Sequence, residues 1–214
     1  QILSRGEQFF TRENPVVMFE VKHGERVQLE LVDQLEASDD PFIIAGQGTV
    51  GVEIAQADQS FDALITCIGG GGLCAGISLA MHALSPRTLI YGAEPAAYND
   101  HQLSLRAGER TGISNTPSTL SDALMTPMPG VMTWAINGGI LSDVFGVTDE
   151  ACLHAMALAH RALGVTLEPG GAAAFAALMT HNLPKTVETV VVILSGGNVD
   201  PAVFAKALDI DGRA

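Results

Sequence analysis

The sequence predicts an α/β protein, a parallel sheet flanked by helices. Three observations carry that expectation. From residue 61 onward strand-like and helix-like segments alternate at the spacing of βαβ units. Two glycine turns, Gly69–Gly72 and Ser195-Gly196-Gly197-Asn198, each follow an apolar strand candidate directly. The strongest strand, Thr189–Leu194 (TVVVIL), is a continuous β-branched run of the kind buried on both faces of a parallel sheet.

The elements follow in order. Val16–Gly24 reads as a strand and Gly24–Ala37 as a short helix. Asp39–Ile54 places Gly46-Gln47-Gly48-Thr49 ahead of a helix. Phe61–Ile68 is a short apolar strand that runs into the glycines. Leu73–Leu84 is a helix rich in Ala and Leu that stops before Pro86, and Thr88–Ala93 is a strand ending at Glu94-Pro95. Thr148–Leu163 is the clearest helix. Thr148 can cap it, Asp149 and Glu150 suit its positive end, Arg161 suits its last turn, and Gly164 follows. A second Ala-rich helix, Gly170–Met179, follows Pro169, and Thr189–Leu194 closes the series.

Composition narrows the function. The 214 residues are 47% hydrophobic, enough for a buried core. A net charge of −13 without any Lys/Arg cluster excludes a nucleic-acid partner, which would need the opposite field. No apolar run reaches the ~20 residues that span a bilayer, and no signal-peptide pattern opens the chain, so no membrane partner is expected. Three cysteines, Cys67, Cys74 and Cys152, lack metal-ligand spacing and read as reduced thiols of a cytoplasmic protein, with Cys67 and Cys74 as packing residues. The six histidines form no H-E-x-x-H pattern and read as ordinary surface or core residues.

The chemistry begins at Cys67–Gly76, CIGGGGLCAG. Four residues without Cβ at a strand-to-helix turn leave backbone N–H groups free to converge, and the helix N-terminus adds about half a positive charge. The natural occupant is a phosphate. No Gly-Lys-Ser/Thr follows, which excludes a P-loop. A dinucleotide site is the rival, since Gly70, Gly72 and Gly76 approximate its spacing and Glu94 follows the next strand. On that pattern the chain would be a nucleotide-binding oxidoreductase.

The order of DDPFIIAGQGTVGVEI (Asp39–Ile54), GGGGLCAG, LEPGGAAAFAAL (Leu167–Leu178) and SGGNVD (Ser195–Asp200) resembles one family, the fold-type II pyridoxal-phosphate enzymes. Within it, the resemblance is to the branch of threonine and serine dehydratases and serine racemase. It runs from about Asp39 to Asp200 and includes AEPAAYND (Ala93–Asp100) and LSDALMTPMPGVMTWAI (Leu120–Ile136). It implies the large domain of the tryptophan-synthase-β-like fold over residues 39–214, with residues 1–38 as a remnant N-terminal segment.

The resemblance also implies roles. Gly69, Gly70, Gly71 and Gly72 would bind the phosphate of pyridoxal phosphate through their amides, and Ser195 would hydrogen-bond the pyridine nitrogen. A neutral hydroxyl does not hold that nitrogen protonated, which suits β-elimination or racemisation over transamination. Glu94, the Tyr98 carbonyl and Asp100 would bind a divalent cation, Mg²⁺ or Ca²⁺, because oxygen ligands suit those ions. Glu168, in the family's Glu-Pro motif, would lie near the cofactor. The implied reaction removes water from L-threonine or L-serine, giving a 2-oxo acid and ammonia; serine racemase and hydroxyaspartate dehydratase are the alternatives within the family. A small hydroxy-amino-acid substrate and a homodimer are the implied partners.

Two parts of the family pattern are missing from this sequence: the Ser-Phe-Lys-x-Arg-Gly segment with the cofactor-binding lysine, and the Ser-x-Gly-Asn-His segment that contacts ring and substrate carboxylate. No catalytic residue is therefore assigned. Lys22, the only lysine before the glycine loop, reads as a solvated strand end. An inactive relative that retains cofactor binding is a further expectation compatible with that loss.

Overall fold

The computed structural model describes residues 8–11, 14–19, 38–57, 60–115 and 117–211. Strands β1 (Gln8–Thr11) and β2 (Asn14–Phe19) pair antiparallel. β2 overlaps the strand expected at Val16–Gly24; the helix expected at Gly24–Ala37 and Lys22 lie outside the described residues.

The remaining strands form one parallel sheet. β3 (Ala63–Cys67) pairs with β4 (Leu89–Pro95) in the register Ala63↔Leu89 to Cys67↔Ala93. β4 pairs with β5 (Asp143–Val147), and β3 pairs on its other side with β6 (Val190–Val192), so the order is β5-β4-β3-β6. The chain builds outward from β3 to β5 and then returns to the far side of β3. The direction of winding therefore reverses between β3 and β6, and in open α/β sheets ligands bind beyond the strand ends at such a reversal. Gly69–Gly72 and Ser195 leave those two strands.

The helices are α1 (Pro41–Ala55), α2 (Gly72–Leu84), α3 (Asp100–Ala107), α4 (Val131–Ile140), α5 (Asp149–Leu163), α6 (Pro169–Thr180) and α7 (Pro201–Asp211). They cover both faces of the sheet. Ile65, Tyr91, Phe145 and Met156 pack with the alanines of α6 on one face; Leu64, Ile77, Met81 and Ile90 pack with Val50 and Ile54 of α1 on the other. Every residue of β3 is accordingly buried, and a strand covered on both sides has no polar alternation to show. Among the described residues no helix is long and apolar enough to cross a membrane.

The caps follow the sequence. Thr148 Oγ1 accepts from Ala151 N at 3.2 Å, and Gly164 closes α5 in the left-handed conformation at φ 68°. Two expectations are corrected. Gly46–Thr49 lies inside α1 rather than ahead of it, because Asp40 already caps the helix, accepting from Phe42 N at 2.8 Å and Ile43 N at 3.1 Å, with Pro41 in the first turn. Gly48 and Gly51 let α1 lie backbone to backbone on α2: a Cβ on Gly51 would stand 2.8 Å from Ala80 Cβ, and one on Gly76 would strike the Ile44 carbonyl. The strand expected at Thr189–Leu194 is only Val190–Val192 and is half-buried, because β6 is an edge strand with no outer neighbour among the described residues.

Candidate functional site

The loop between β3 and α2 is anchored from behind by α4. The Gly70 carbonyl accepts from Thr133 Oγ1 at 2.7 Å, and the Gly71 carbonyl accepts from Asn137 Nδ2 at 3.3 Å. Asp39 in turn caps α4, its carboxylate accepting from Val131 N at 2.9 Å and from Met132 N and Thr133 N at 2.8 Å each. With its carbonyls held this way, the loop gives the N–H groups of Gly69–Gly72 to no acceptor among the described residues. They form a set of free donors at the positive end of a helix.

Packing behind the loop needs glycine for reasons the sequence did not show. Gly71 sits at φ +100°, where a Cβ would come within 2.9 Å of both Asn137 Nδ2 and Thr133 Cβ and 3.0 Å of His101 Nε2. At Gly72 a Cβ would stand 2.6 Å from the Ser38 carbonyl. The glycines thus let the loop press against the protein on one side while its amides stay open on the other.

That open side is a cleft of about 470 Å³ lined by the four glycines, Glu168 and Ser195 among others. The size is that of a small-molecule or cofactor site. Ser195 is set by α6: its N–H donates to the Gly171 carbonyl at 3.3 Å, an approach so close that a Cβ on Gly171 would overlap the Ser195 carbonyl. Cys67 also lines the cleft. Burial pushes its thiol up to about 12, which leaves it an un-ionised packing residue. Burial likewise raises the Glu168 carboxyl, with the Asn198 amide opposing and the Asp122 charge adding. Glu168 faces the Gly196 turn, since a Cβ there would stand 2.6 Å from its Oε1. The free amides fit a ligand with an anionic end.

Glu94 at the end of β4, Tyr98 in the turn and Asp100 at the start of α3, expected as cation ligands, are buried behind the glycine loop and outside the cleft. Glu94 Oε1 accepts from Gln102 N at 2.9 Å and Oε2 from His101 N at 3.2 Å, so Glu94 caps α3 from the end of the preceding strand. Burial raises the Glu94 carboxyl well above its ordinary range, with Asp100 adding to the effect. Burial raises Asp100 too, and the nearby His101 opposes it. His101 is the residue that the sequence reading missed. It is fully buried beside both carboxylates, whereas His160 and His181 pack against Phe204 and Phe145 as ordinary side chains. The available signal was its position directly after Asp100.

These contacts remove the dinucleotide reading. Both Glu94 carboxylate oxygens are turned to the amides of α3 instead of to a ribose.

The comparisons with known proteins agree with this architecture. The family model described as "Pyridoxal-phosphate dependent enzyme" matches residues 21–196. The chain is 35% identical over 166 residues to serine racemase of Mus musculus, covering 76% of this chain and 49% of that protein. It is 38% identical over 170 residues to L-threo-3-hydroxyaspartate ammonia-lyase of Saccharomyces cerevisiae, covering 79% of this chain and 52% of that one. Among solved structures, the T.th. threonine deaminase superposes with a TM-score of 0.71 at 38% identity, over 76% of this chain and 56% of the other. The chain spans about half the length of the curated relatives it matches.

Proposed function

The chain belongs to the pyridoxal-phosphate dependent enzyme family, and on that premise we propose that its cleft binds the cofactor for α,β-elimination of water from L-threonine or L-serine. Gly69–Gly72 would hold the phosphate through their free amides, and Ser195 would meet the ring nitrogen. The observation that carries this reading is the set of glycine N–H groups without an acceptor among the described residues, in a loop that lines the same cleft as Ser195. Bound there, pyridoxal phosphate supplies the electron sink that lets an amino acid lose its α-proton and β-hydroxyl; hydrolysis of the product then gives a 2-oxo acid and ammonia.

This chain's own part is positional. α4 holds the loop carbonyls, which leaves the amides free for the phosphate, and the Gly171 contact fixes Ser195. Ser195 offers a hydroxyl where a carboxylate would keep the ring nitrogen protonated, which favours elimination or racemisation. The named activities of the relatives, serine racemisation and hydroxyaspartate ammonia loss, would be served by the same cofactor contacts and form the second reading. The buried turn at Glu94, Tyr98 and Asp100 would hold a divalent cation, Mg²⁺ or Ca²⁺ on the family resemblance. A homodimer and a small hydroxy-amino-acid substrate belong to the same proposal.

Neither Lys185 nor Lys206 lines the cleft; both are exposed. Cofactor binding is therefore tested on this chain, and turnover on a protein that joins it to a lysine-bearing segment of the family type. Absorbance titration compares pyridoxal phosphate with pyridoxal. Charge-assisted hydrogen bonds are worth about 1.5–3 kcal/mol each, so removal of the phosphate should weaken binding at least about tenfold. Equal affinities would refute the cradle. Failure of the joined protein to form a 2-oxo acid from threonine or serine would refute the elimination.

A further inference from the structure

We propose that His101 supplies a third, nitrogen ligand to the cation site at Glu94 and Asp100, so that the site takes a first-row transition cation such as Mn²⁺ or Zn²⁺ over Mg²⁺ or Ca²⁺. The inference rests on the cation reading above and goes beyond it in ligand set and metal class.

Three donors already converge. One ligand atom each from Glu94, Asp100 and His101 lies within 4.8 Å of the others. His101 Nδ1 is 3.4 Å from Asp100 Oδ2 and 3.8 Å from Glu94 Oε2. Those separations are long for hydrogen bonds. The 3.4 Å separation matches the spacing of two atoms that share an ion, about 3.0–3.4 Å for donors some 2.1 Å from it, and the 3.8 Å one exceeds it by a few tenths of an ångström.

Two of these atoms lack partners. Asp100 Oδ2 and His101 Nδ1, like Nε2 on the ring's other side, have no hydrogen-bond partner among the described residues, although Asp100 is 1% and His101 0% exposed. A buried polar atom left unpaired costs about 1–3 kcal/mol, so two that face each other call for an occupant. The only ion-pair partner of the two carboxylates among the described residues is His101 itself.

The ring's other side suggests its tautomer. Nε2 faces Gly71, where Asn137 is also packed and Asn137 Oδ1 is likewise unpartnered. With the ring proton on Nε2, the Nδ1 lone pair is turned to the two carboxylates. Lone pairs converging from three side chains require a positive charge between them.

The nitrogen decides the class of ion. Ca²⁺ and Mg²⁺ take oxygen ligands, whereas an imidazole nitrogen adds affinity for first-row transition ions, least for Mn²⁺ and with Zn²⁺ below the maximum at Cu²⁺. The alternative occupant is a proton shared among the three groups.

The test titrates chelator-treated protein calorimetrically with Mn²⁺, Zn²⁺, Mg²⁺ and Ca²⁺, and repeats it with His101→Asn. The expected result is one Mn²⁺ or Zn²⁺ per chain bound at least about tenfold more tightly than Mg²⁺ or Ca²⁺, with His101→Asn reducing that preference to about threefold or less. Mg²⁺ or Ca²⁺ binding as tightly as Mn²⁺, or a preference that survives His101→Asn, overturns the inference and leaves the cation reading standing. Binding of no divalent ion overturns both and assigns the cluster to the shared proton. Should the variant not fold, anomalous diffraction from Mn²⁺-soaked wild-type crystals decides: the ion is expected within bonding distance of Nδ1, and an ion elsewhere overturns the inference.

Discussion

Replacing Gly71 by Ala should damage both stability and cofactor binding, from the back of the loop. The residue sits at φ +100°, and the new methyl would come within 2.9 Å of Asn137 Nδ2 and Thr133 Cβ and 3.0 Å of His101 Nε2. None of these is a free chain end: Thr133 and Asn137 are buried on α4 and bonded to the loop carbonyls, and His101 is buried on α3. The left-handed conformation costs an L-residue about 1–2 kcal/mol, and overpacking a tight site adds about 1–3 kcal/mol. The sum is about 2–5 kcal/mol, which for a chain of this size lowers Tm by roughly 5–20 °C. Relief requires the loop to shift toward the cleft, so affinity for pyridoxal phosphate should also fall at least about tenfold. Calorimetric unfolding and absorbance titration read the two effects separately. A variant within about 2 °C of wild type, at the resolution of the comparison, that binds cofactor normally would refute the packing of Gly71 against α4 and His101.

Further outcomes follow from the same geometry. Gly139→Ala, in α4 with nothing within 4 Å of the added Cβ, should stabilise by about 0.5–1 kcal/mol, read as a rise in Tm; destabilisation would contradict the open surroundings. Gly76→Ala should lower Tm more than any other Gly→Ala change on the α1–α2 contact, because its Cβ meets the Ile44 carbonyl and the Gly48 amide together; a fall matched by Gly51→Ala would argue against that ranking. Ser195→Asp, in a protein completed with a lysine-bearing segment, should lower the rate of elimination at least about tenfold while phosphate-dependent binding persists, since a carboxylate favours a protonated ring nitrogen; an unchanged rate would place Ser195 away from that nitrogen. Burial holds the thiols of Cys67 and Cys74 up to about 12 and that of Cys152 up to about 11. The folded chain therefore keeps thiol protons that the unfolded chain releases, so stability should decline as pH rises from about 9 toward 12. Native protein at about pH 8, below the ordinary thiol range, should react with a thiol reagent only as it unfolds; rapid labelling of Cys67 in the folded state would refute its un-ionised burial.

What the sequence determined was local or compositional. Alternating apolar segments, the cap at Thr148, the stop at Gly164 and the two glycine turns depend on residues within one or two turns of each other, and they appeared where expected. Ordered motifs identified the family because each records a short-range backbone requirement. Tertiary structure decided whatever depends on residues far apart in the chain. β6 is a short half-buried edge strand, since burial is set by neighbours distant in sequence, Val190 against Ala63. Gly46–Thr49 joined α1 because a helix with a good cap tolerates glycines that a second helix needs for close approach. The tetraglycine loop looked like a cradle for a ligand alone; half its reason is the α4 and His101 wall behind it. His101 carried no signal in its own segment beyond its place after Asp100. Its meaning arose only when the fold buried it between Gly71 and two carboxylates.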